Sequence, residues 1–138
     1  MTKSIIPSMF EDVAEFHLKV LGVPPPESVT LVSKDFAMER FRFLAEETNE
    51  YLEAMLEADM VKAVDGLLDT VYVALGTLYF MGIPVQECWN AIQKANMAKV
   101  RGTTSRGNKI DARKPEGWVG PETEIAAAIL GVINREIR

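Results

Sequence analysis

Three glutamates lie close together in the middle of the chain. Glu46, Glu47 and Glu50 are three or four residues apart, so in a helix their side chains project from one side. Like charges at this spacing repel by roughly 0.2–0.5 kcal/mol per pair. Glu53 and Glu57 continue the acidic face, and for these two we expect a solvated surface. The first three are candidates for chemistry because of the segment that follows them.

Two aspartates lie in that next, strongly apolar segment. Asp65 and Asp69 are one helical turn apart, and no Lys or Arg occurs between residues 63 and 90. An ionised Asp69 in such surroundings must be paired, hydrogen-bonded or bound to a cation, because burying an unpaired charge is costly. Carboxylate oxygens without His or Cys ligands favour Mg²⁺ or Mn²⁺. The sequence therefore predicts a divalent cation between two carboxylate clusters.

Helical periodicity dominates the chain, and no run alternates long enough to predict a strand. We predict an all-α antiparallel helical bundle of about five helices in a single domain over 1–138. Its parts are a helical core, a basic glycine-rich loop and a C-terminal helix, at 8–100, 101–120 and 121–138. A capping box at Ser8 opens the first helix.

The short connector after the second helix makes the second and third helices antiparallel neighbours, which would bring their carboxylates face to face. The second runs over about 35–58 and the third over about 60–81, with Gly82 as its C-terminal cap. Pro84 begins the fourth, which runs to about 100. We predict that the fourth helix turns Val85, Cys88, Trp89 and Ile92 inward. The second helix has one apolar face, which contains Phe41, Leu44, Ala45, Thr48, Leu52, Met55 and Leu56.

The third helix is apolar enough that a membrane span must be weighed against a core helix. Residues 66–83 carry one formal charge, close to the lower limit for a membrane span. Asp69, Thr70 and Thr77, with no flanking aromatic or basic anchors, favour a central core helix instead. An apolar helix this uniform needs cover on nearly all sides, so we expect a homodimer or homotetramer and no membrane partner.

Composition excludes several classes of protein. The chain has 138 residues, 15 basic and 20 acidic, with one cysteine and one histidine. One cysteine excludes a disulfide framework and a cysteine-rich zinc site, and one histidine excludes His-pair metal motifs. The net charge of −5 argues against a nucleic-acid partner. The first ten residues do not form a signal peptide, so we expect a cytoplasmic protein.

The charges form two segments of opposite sign. Residues 46–69 hold eight carboxylates and one lysine, and residues 94–114 hold seven cations and one aspartate. This pairing suits a site that holds divalent cations beside a polyanion, although two solvated patches are an equally good reading. Asn96 and Lys99 continue the inward stripe of the fourth helix, as in a pocket lining. Lys109, Lys114 and Trp118 belong to a loop that either closes over a ligand or has no specific role.

Several motifs together resemble a known family. The segments EETNE at 46–50 and DGLLDTVYV at 65–73 resemble the E-E-x-x-E and E-x-x-D signature of the all-α nucleoside triphosphate pyrophosphohydrolases. This superfamily includes MazG-like enzymes, phosphoribosyl-ATP pyrophosphohydrolases and dimeric all-α dUTPases. The segments ANMAK, GNK and KPEGW at 95–99, 107–109 and 114–118 are similar to the MazG-like dUTPase branch. The family's second-motif glutamate falls on Gly66, a departure for which Asp65 could compensate.

The resemblance implies hydrolysis of a (deoxy)nucleoside triphosphate to the monophosphate and pyrophosphate, with dUTP as the first substrate to test. It implies that Mg²⁺, with Mn²⁺ as a substitute, is held by Glu47, Glu50, Asp65 and Asp69. Glu46 would orient or deprotonate the attacking water, and Glu50 would also be catalytic. The implied substrate-binding residues are His17, Tyr72, Asn96, Lys99, Lys109, Lys114 and Trp118.

Other readings remain open. Tyr72 lies on the line of Asp65 and Asp69, and it could contact sugar or base or be a core tyrosine. His17 could line the nucleoside end of a pocket or be a packed core side chain, because it lies on the apolar stripe of the first helix, which consists of Phe10, Val13, Ala14, His17 and Leu21. Phosphoribosyl-ATP hydrolysis uses similar carboxylates and is a second enzymatic hypothesis. A non-catalytic helical interaction or nucleotide-sensing module is a third, and it predicts partner binding that survives chelation by EDTA.

Overall fold

The computed structural model describes residues 5–137, and the regular secondary structure among them is helical apart from one short ladder. The two strands of the ladder, β1 (Val100–Arg101) and β2 (Ala112–Arg113), pair antiparallel. The all-α prediction is confirmed. The five helices among these residues are α1 (Ile5–Lys19), α2 (Lys34–Leu56), α3 (Met60–Phe80), α4 (Val85–Met97) and α5 (Glu122–Ile137).

Contacts along the chain divide it into two compact units, with the boundary between Ile83 and Pro84. The first unit contains α1, α2 and α3, and the second contains α4, the ladder and α5. The predicted helical core over 8–100 therefore contributes residues to both units. The single domain over 1–138 stays a prediction.

Helix α1 begins earlier than the sequence pattern indicated. It starts at Ile5, so Ser8 lies inside the helix and the capping-box prediction is wrong; the Ser8 side chain itself lies outside the described residues. Pro7 is compatible with this start because the first turn of a helix needs no backbone N–H donors. The apolar stripe is confirmed at its centre, where Val13 and His17 are buried.

Helices α2 and α3 form an antiparallel hairpin, as predicted. Ser33 caps α2 by accepting from the Phe36 amide, and Asp59 caps α3 by accepting from the Lys62 amide. The two helices approach each other closely at Gly66, where a Cβ atom would lie 2.9 Å from the backbone nitrogen of Tyr51. This close contact holds the second half of α2 against the first half of α3.

The side of α2 that packs on α3 carries Glu47 and is not the apolar face of the helix. The buried residues of α2 are Glu47 and Ala54, whereas four residues of the apolar face are exposed. Periodicity identifies an apolar face but does not say which element covers it. In this chain the close contact at Gly66 turns a different side of α2 towards α3. The exposed four are Phe41, Leu52, Met55 and Leu56.

Helix α3 is long and apolar enough to cross a membrane by length and composition, and one third of the relevant window is buried. Its second half carries most of that burial, at Val73, Leu75, Gly76 and Tyr79. At its end, Gly82 has a φ of +68° and donates its amide to the Tyr79 carbonyl, which confirms the predicted glycine cap.

Helix α4 packs through small residues. Its buried residues are Val85, Ala91 and Ala95, while Trp89 and Ile92 are exposed, so the inward prediction is wrong for these last two. The alanines allow the following loop to approach closely, and the Trp118 indole Nε1 donates to the Ala95 carbonyl at 2.8 Å. Pro84 is the N-cap rather than the first helical residue.

The region predicted as an irregular loop contains a small hairpin. The Gly102 amide donates to the Asp111 carbonyl next to the β1–β2 ladder. The Asp111 carboxylate accepts from Thr104, from Arg106 and from the Ala112 amide. One carboxylate therefore ties both sides of the hairpin together, which a search for alternating strands could not detect.

Candidate active site

The centre of the candidate site is a buried carboxylate on α2. Glu47 is 8% exposed, and its Oε2 atom is buried with no hydrogen-bond partner within the described part of the chain. A buried carboxylate oxygen without a partner is expensive, since it has lost its hydration and gained nothing in return. Such an atom indicates a ligand that carries positive charge or donates hydrogen bonds.

Other carboxylates surround Glu47. Burial raises the pKa of the Glu47 carboxyl, and the charges of Glu50, Asp69 and Glu46 raise it further, in that order. These neighbours come from both helices of the hairpin, so the predicted meeting of the two acidic clusters occurs around Glu47. Ionised carboxylates repel one another, and a cation among them favours the charged forms.

Glu47 and Asp69 open into the same cavity, which has a volume of about 320 Å³. Helix α1 supplies one wall and the antiparallel pair α2 and α3 supplies the others. The lining is mostly apolar and aromatic away from the two carboxylates. Its remaining members are Phe16, His17, Leu21, Arg40, Phe43, Tyr72 and Val73. The predicted site residues His17, Glu47, Asp69 and Tyr72 are thus brought together.

The remaining predicted carboxylates lie at the edge of this arrangement. Glu46 and Glu50 are exposed and line a surface depression with Asn49. Asp65 is also exposed, and it lines a different depression that it shares with Glu50 and Lys62. Glu50 therefore lies between the cavity carboxylates and Asp65. The structure does not bring Asp65 into the cavity that holds Glu47 and Asp69.

Gly66 explains why the sequence departs from the family pattern. This residue is buried where α2 and α3 touch, with the Tyr51 nitrogen and the Glu47 carbonyl within 3.2 Å of where a Cβ atom would lie. Both neighbours are backbone atoms and cannot move aside without shifting a helix. A glutamate at position 66 therefore has no room in this packing.

The fit of this carboxylate set to a divalent cation rests on Glu47. Within the described ranges, no group of three or more His, Cys, Asp or Glu side chains converges closely enough to form a ready-made metal site. The donors nevertheless suit Mg²⁺ or Mn²⁺, because they are hard oxygens and one of them is buried and unpaired. Glu47, Glu50 and Asp69 are the residues that would hold the ion.

His17 and Arg40 are two nitrogen-bearing side chains of the cavity lining that come close together beside Gly76. His17 is 3% exposed, and its Nδ1 atom lies 2.7 Å from the Val13 carbonyl. Arg40 donates from Nε to the Thr77 hydroxyl at 3.0 Å and from Nη2 to the Val73 carbonyl at 2.9 Å. The Arg40 guanidinium also lies over the rings of Phe36, Phe43 and Phe80.

The predicted basic residues of the second unit form a cluster around one indole. The ammonium groups of Lys99 and Lys114 lie 5.4 and 4.8 Å from the Trp118 ring centroid. Lys99 also donates to the Asn96 side chain at 2.9 Å. Lys109 is exposed in the hairpin and is not part of this cluster. Two cations on one aromatic ring make a suitable surface for an anion.

Sequence reasoning missed five residues of the cavity, and Phe16, Arg40 and Phe43 are the three among them with aromatic or charged side chains. Arg40 and Glu47 are seven residues apart on α2, so they share a face, and this spacing is visible in the sequence. Phe16 precedes His17 and forms an edge contact with Tyr72, with ring centroids 5.6 Å apart. No local pattern predicts that contact, because it depends on how α1 packs against α3.

These features are those expected of an all-α pyrophosphohydrolase with a carboxylate centre on a helical hairpin. The family model described as phosphoribosyl-ATP pyrophosphohydrolase matches residues 13–96, and the chain belongs to this family within the all-α (MazG-like) nucleoside triphosphate pyrophosphohydrolase superfamily. Family membership indicates a hydrolase of the pyrophosphohydrolase class. A comparison with curated proteins finds no match.

Proposed function

We propose that the protein hydrolyses a nucleoside triphosphate to the monophosphate and pyrophosphate with Mg²⁺ or Mn²⁺ as cofactor. The observation that carries this proposal is the buried Glu47 carboxylate, whose Oε2 atom has no hydrogen-bond partner among the described residues and which lines an aromatic cavity together with Asp69. A ligand with an aromatic end and a cation-bound polyphosphate end complements both parts. A nucleoside triphosphate has this construction.

The site residues have different proposed roles in this reaction. Glu47, Glu50 and Asp69 would hold the metal ion, which when bound neutralises phosphate charge and acidifies a water molecule. Glu46 would accept a proton from a water molecule while the water oxygen attacks the α-phosphorus. As this bond forms, the bond between the α-phosphorus and the pyrophosphate oxygen breaks. Phe16, Phe43 and Tyr72 would contact the base or sugar. For Lys99 and Lys114 we keep the prediction that they bind phosphate.

The substrate has two candidates. The motifs at 95–99 and 114–118 favour a deoxynucleoside triphosphate with dUTP first, whereas the matching family model favours phosphoribosyl-ATP. Comparing kcat/KM on the two substrates decides between them. A preference of tenfold or more, about 1.4 kcal/mol in transition-state binding, is sufficient to assign the substrate.

A nucleotide panel tests the proposed reaction. Wild-type protein is mixed with Mg²⁺ and each nucleotide, and pyrophosphate is measured together with the matching monophosphate. We expect release from at least one nucleotide, loss of release with EDTA, and a fall of about 10²-fold or more for Glu47→Ala and Glu50→Ala. Glu57→Ala, an exposed glutamate on the same acidic face, is the matched control and should retain wild-type activity.

The proposal fails if no nucleotide yields pyrophosphate. It also fails if Glu47→Ala and Glu50→Ala are as active as Glu57→Ala, since the carboxylate centre would then have no part in the reaction.

A further inference from the structure

The positive charge of Arg40 has no carboxylate partner among the described residues. Its guanidinium lines the cavity and is partly buried, and no carboxylate of the described residues lies within ion-pair distance. The side chain uses two of its five N–H hydrogens, on the Thr77 hydroxyl and the Val73 carbonyl. Three hydrogens remain for a ligand.

His17 presents the complementary group. The Val13 carbonyl can only accept, so Nδ1 of His17 carries the hydrogen of that bond. In the neutral ring Nε2 is then a hydrogen-bond acceptor, and it makes no hydrogen bond with any described residue. The buried ring is held by edge contacts with Phe16 and Phe80 and by a tilted contact with Tyr79.

Gly76 brings the two groups together. The position that a Cβ atom would take at Gly76 is 3.0 Å from Nε2 of His17 and 3.0 Å from Nη2 of Arg40. The two nitrogens are therefore separated by twice that distance at most. An acceptor and a cationic donor therefore lie close together in the lining of a cavity with aromatic walls.

From this pair we infer that Arg40 is a specificity-determining residue that selects nucleobases with a lactam edge. In this arrangement a ring N–H donates to His17 and the adjacent carbonyl oxygen accepts from Arg40. Uracil, thymine, guanine and hypoxanthine have such an edge. The inference rests on the proposed function, because it assumes that the base occupies the cavity.

The number of donors favours a carbonyl oxygen over a ring nitrogen. Cytosine and adenine have an amidine edge, on which the acceptor is a ring nitrogen with one lone pair. A carbonyl oxygen has two lone pairs and accepts from two N–H groups at once. Since Arg40 has three hydrogens to place, a lactam edge leaves fewer of them unpaired, and unpaired buried donors are costly.

Binding of monophosphates in EDTA tests this inference without requiring hydrolysis. Isothermal titration calorimetry measures the Kd of dUMP, dIMP, dCMP and dAMP for wild-type protein, Arg40→Met and Lys34→Met. We expect wild type to bind dUMP or dIMP at least tenfold more tightly than the matching amidine nucleotide. In Arg40→Met the preference should fall below threefold, and in the exposed-lysine control it should remain.

A second variant guards against misfolding of Arg40→Met. Gly76→Ala places a methyl group between the two nitrogens and displaces side-chain ends rather than backbone. It should reduce the preference by a similar factor while circular dichroism shows native helicity.

The inference is overturned by equal Kd values for lactam and amidine nucleotides in wild type, or by a preference that survives in both Arg40→Met and Gly76→Ala. A discriminating protein that releases no pyrophosphate from any triphosphate would instead contradict the proposed function. Tighter binding of dCMP or dAMP than of dUMP or dIMP by wild type also overturns the lactam assignment.

Discussion

Glu47 is the residue on which the proposed chemistry depends most strongly. The sequence marks a trio of glutamates, and the structure shows that Glu47 alone among them is buried. Burial and the neighbouring carboxylates act in the same direction, so the carboxyl group resists ionisation in the folded chain. A bound cation would offset the cost of keeping it charged.

Removing this charge should stabilise the metal-free protein. Because the folded state holds the Glu47 proton more tightly than the unfolded state, stability falls as pH rises from the ordinary glutamate pKa of 4.5 through the raised value. Glu47→Gln avoids this loss. We expect its melting temperature in EDTA to exceed that of wild type by a few degrees at pH 7, from about 1–3 kcal/mol, and to match it below pH 4.

With Mg²⁺ present, wild type should be more stable than Glu47→Gln. Wild type gains stability when Mg²⁺ binds the folded state, whereas Glu47→Gln gains little. Thermal unfolding with and without Mg²⁺ at pH 7 measures the difference, and Glu57→Gln serves as the exposed control. A Glu47→Gln variant less stable than wild type in EDTA would show that the ionised carboxylate is stabilised by protein contacts alone.

At the scale of elements, the sequence predicts helices better than it predicts their faces. The order of the helices, the α2–α3 hairpin and the Gly82 cap could all be derived from local patterns. The packed sides of α2 and α4 could not, because they depend on close approaches at Gly66 and Ala95. Small residues permit these approaches, and hydrophobic periodicity does not register small residues.

The crossing of α2 and α3 should be sensitive to a single methyl group. Gly66→Ala places a Cβ atom 2.9 Å from the Tyr51 nitrogen, and overpacking of this kind costs about 1–3 kcal/mol. Urea unfolding should show a lower free energy of unfolding and weaker Mg²⁺ binding. Gly131→Ala, a helical glycine with open space around it, should instead gain up to about 1 kcal/mol. Equal effects of the two substitutions would contradict the close contact.

The hairpin between α4 and α5 should depend on Asp111. Hydrogen bonds from Arg106, Thr104 and Ala112 lower the pKa of its carboxyl to about 2. A lowered pKa means that the stabilisation is complete above the ordinary aspartate value and is lost as pH falls towards 2. Amide exchange at Gly102, which donates to the Asp111 carbonyl, should therefore remain slow at pH 4.

Asp111→Asn removes the charge and should accelerate this exchange at pH 4 without changing exchange in α3. Asp35→Asn, in the exposed first turn of α2, is the control. Slow exchange at Gly102 in Asp111→Asn would mean that the ladder holds the hairpin without the carboxylate.

At the scale of the whole molecule, the exposed apolar surface requires an explanation. The outer sides of α2 and α3 expose Phe41, Leu52, Val64, Leu67 and Leu68 in the single chain. Exposed apolar patches of this kind are typical of association surfaces. We propose that a second copy of the chain covers them, which would also account for an α3 apolar enough to resemble a membrane span.

Sedimentation tests this proposal. We expect wild type to sediment as a dimer or tetramer, and Leu68→Glu to shift it towards monomer because the substitution would bury a charge in the interface. Leu31→Glu changes an equally apolar, exposed residue outside the helices and should leave the assembly unchanged. A wild-type monomer at micromolar concentration would contradict the proposal.

The sequence predicts those parts of the candidate site that depend on residues close together along the chain. The carboxylates follow from helical spacing and from an aspartate in an apolar segment. Arg40 and the aromatic walls could not be identified in this way, because their role depends on the packing of α1 on the hairpin. Asp65 shows the same limit. It is one helical turn from Asp69, a spacing that suits a second metal ligand, yet it lies outside the cavity.

Binding of Mn²⁺ tests the shared carboxylate centre most directly. The signal of free Mn²⁺ in electron paramagnetic resonance measures binding to wild type, Glu47→Gln, Asp69→Asn and the control Glu57→Gln, without substrate or turnover. We predict that wild type and Glu57→Gln bind the ion with equal Kd. Glu47→Gln and Asp69→Asn should each weaken binding by tenfold or more. Unchanged binding in both would show that α2 and α3 do not share a cation.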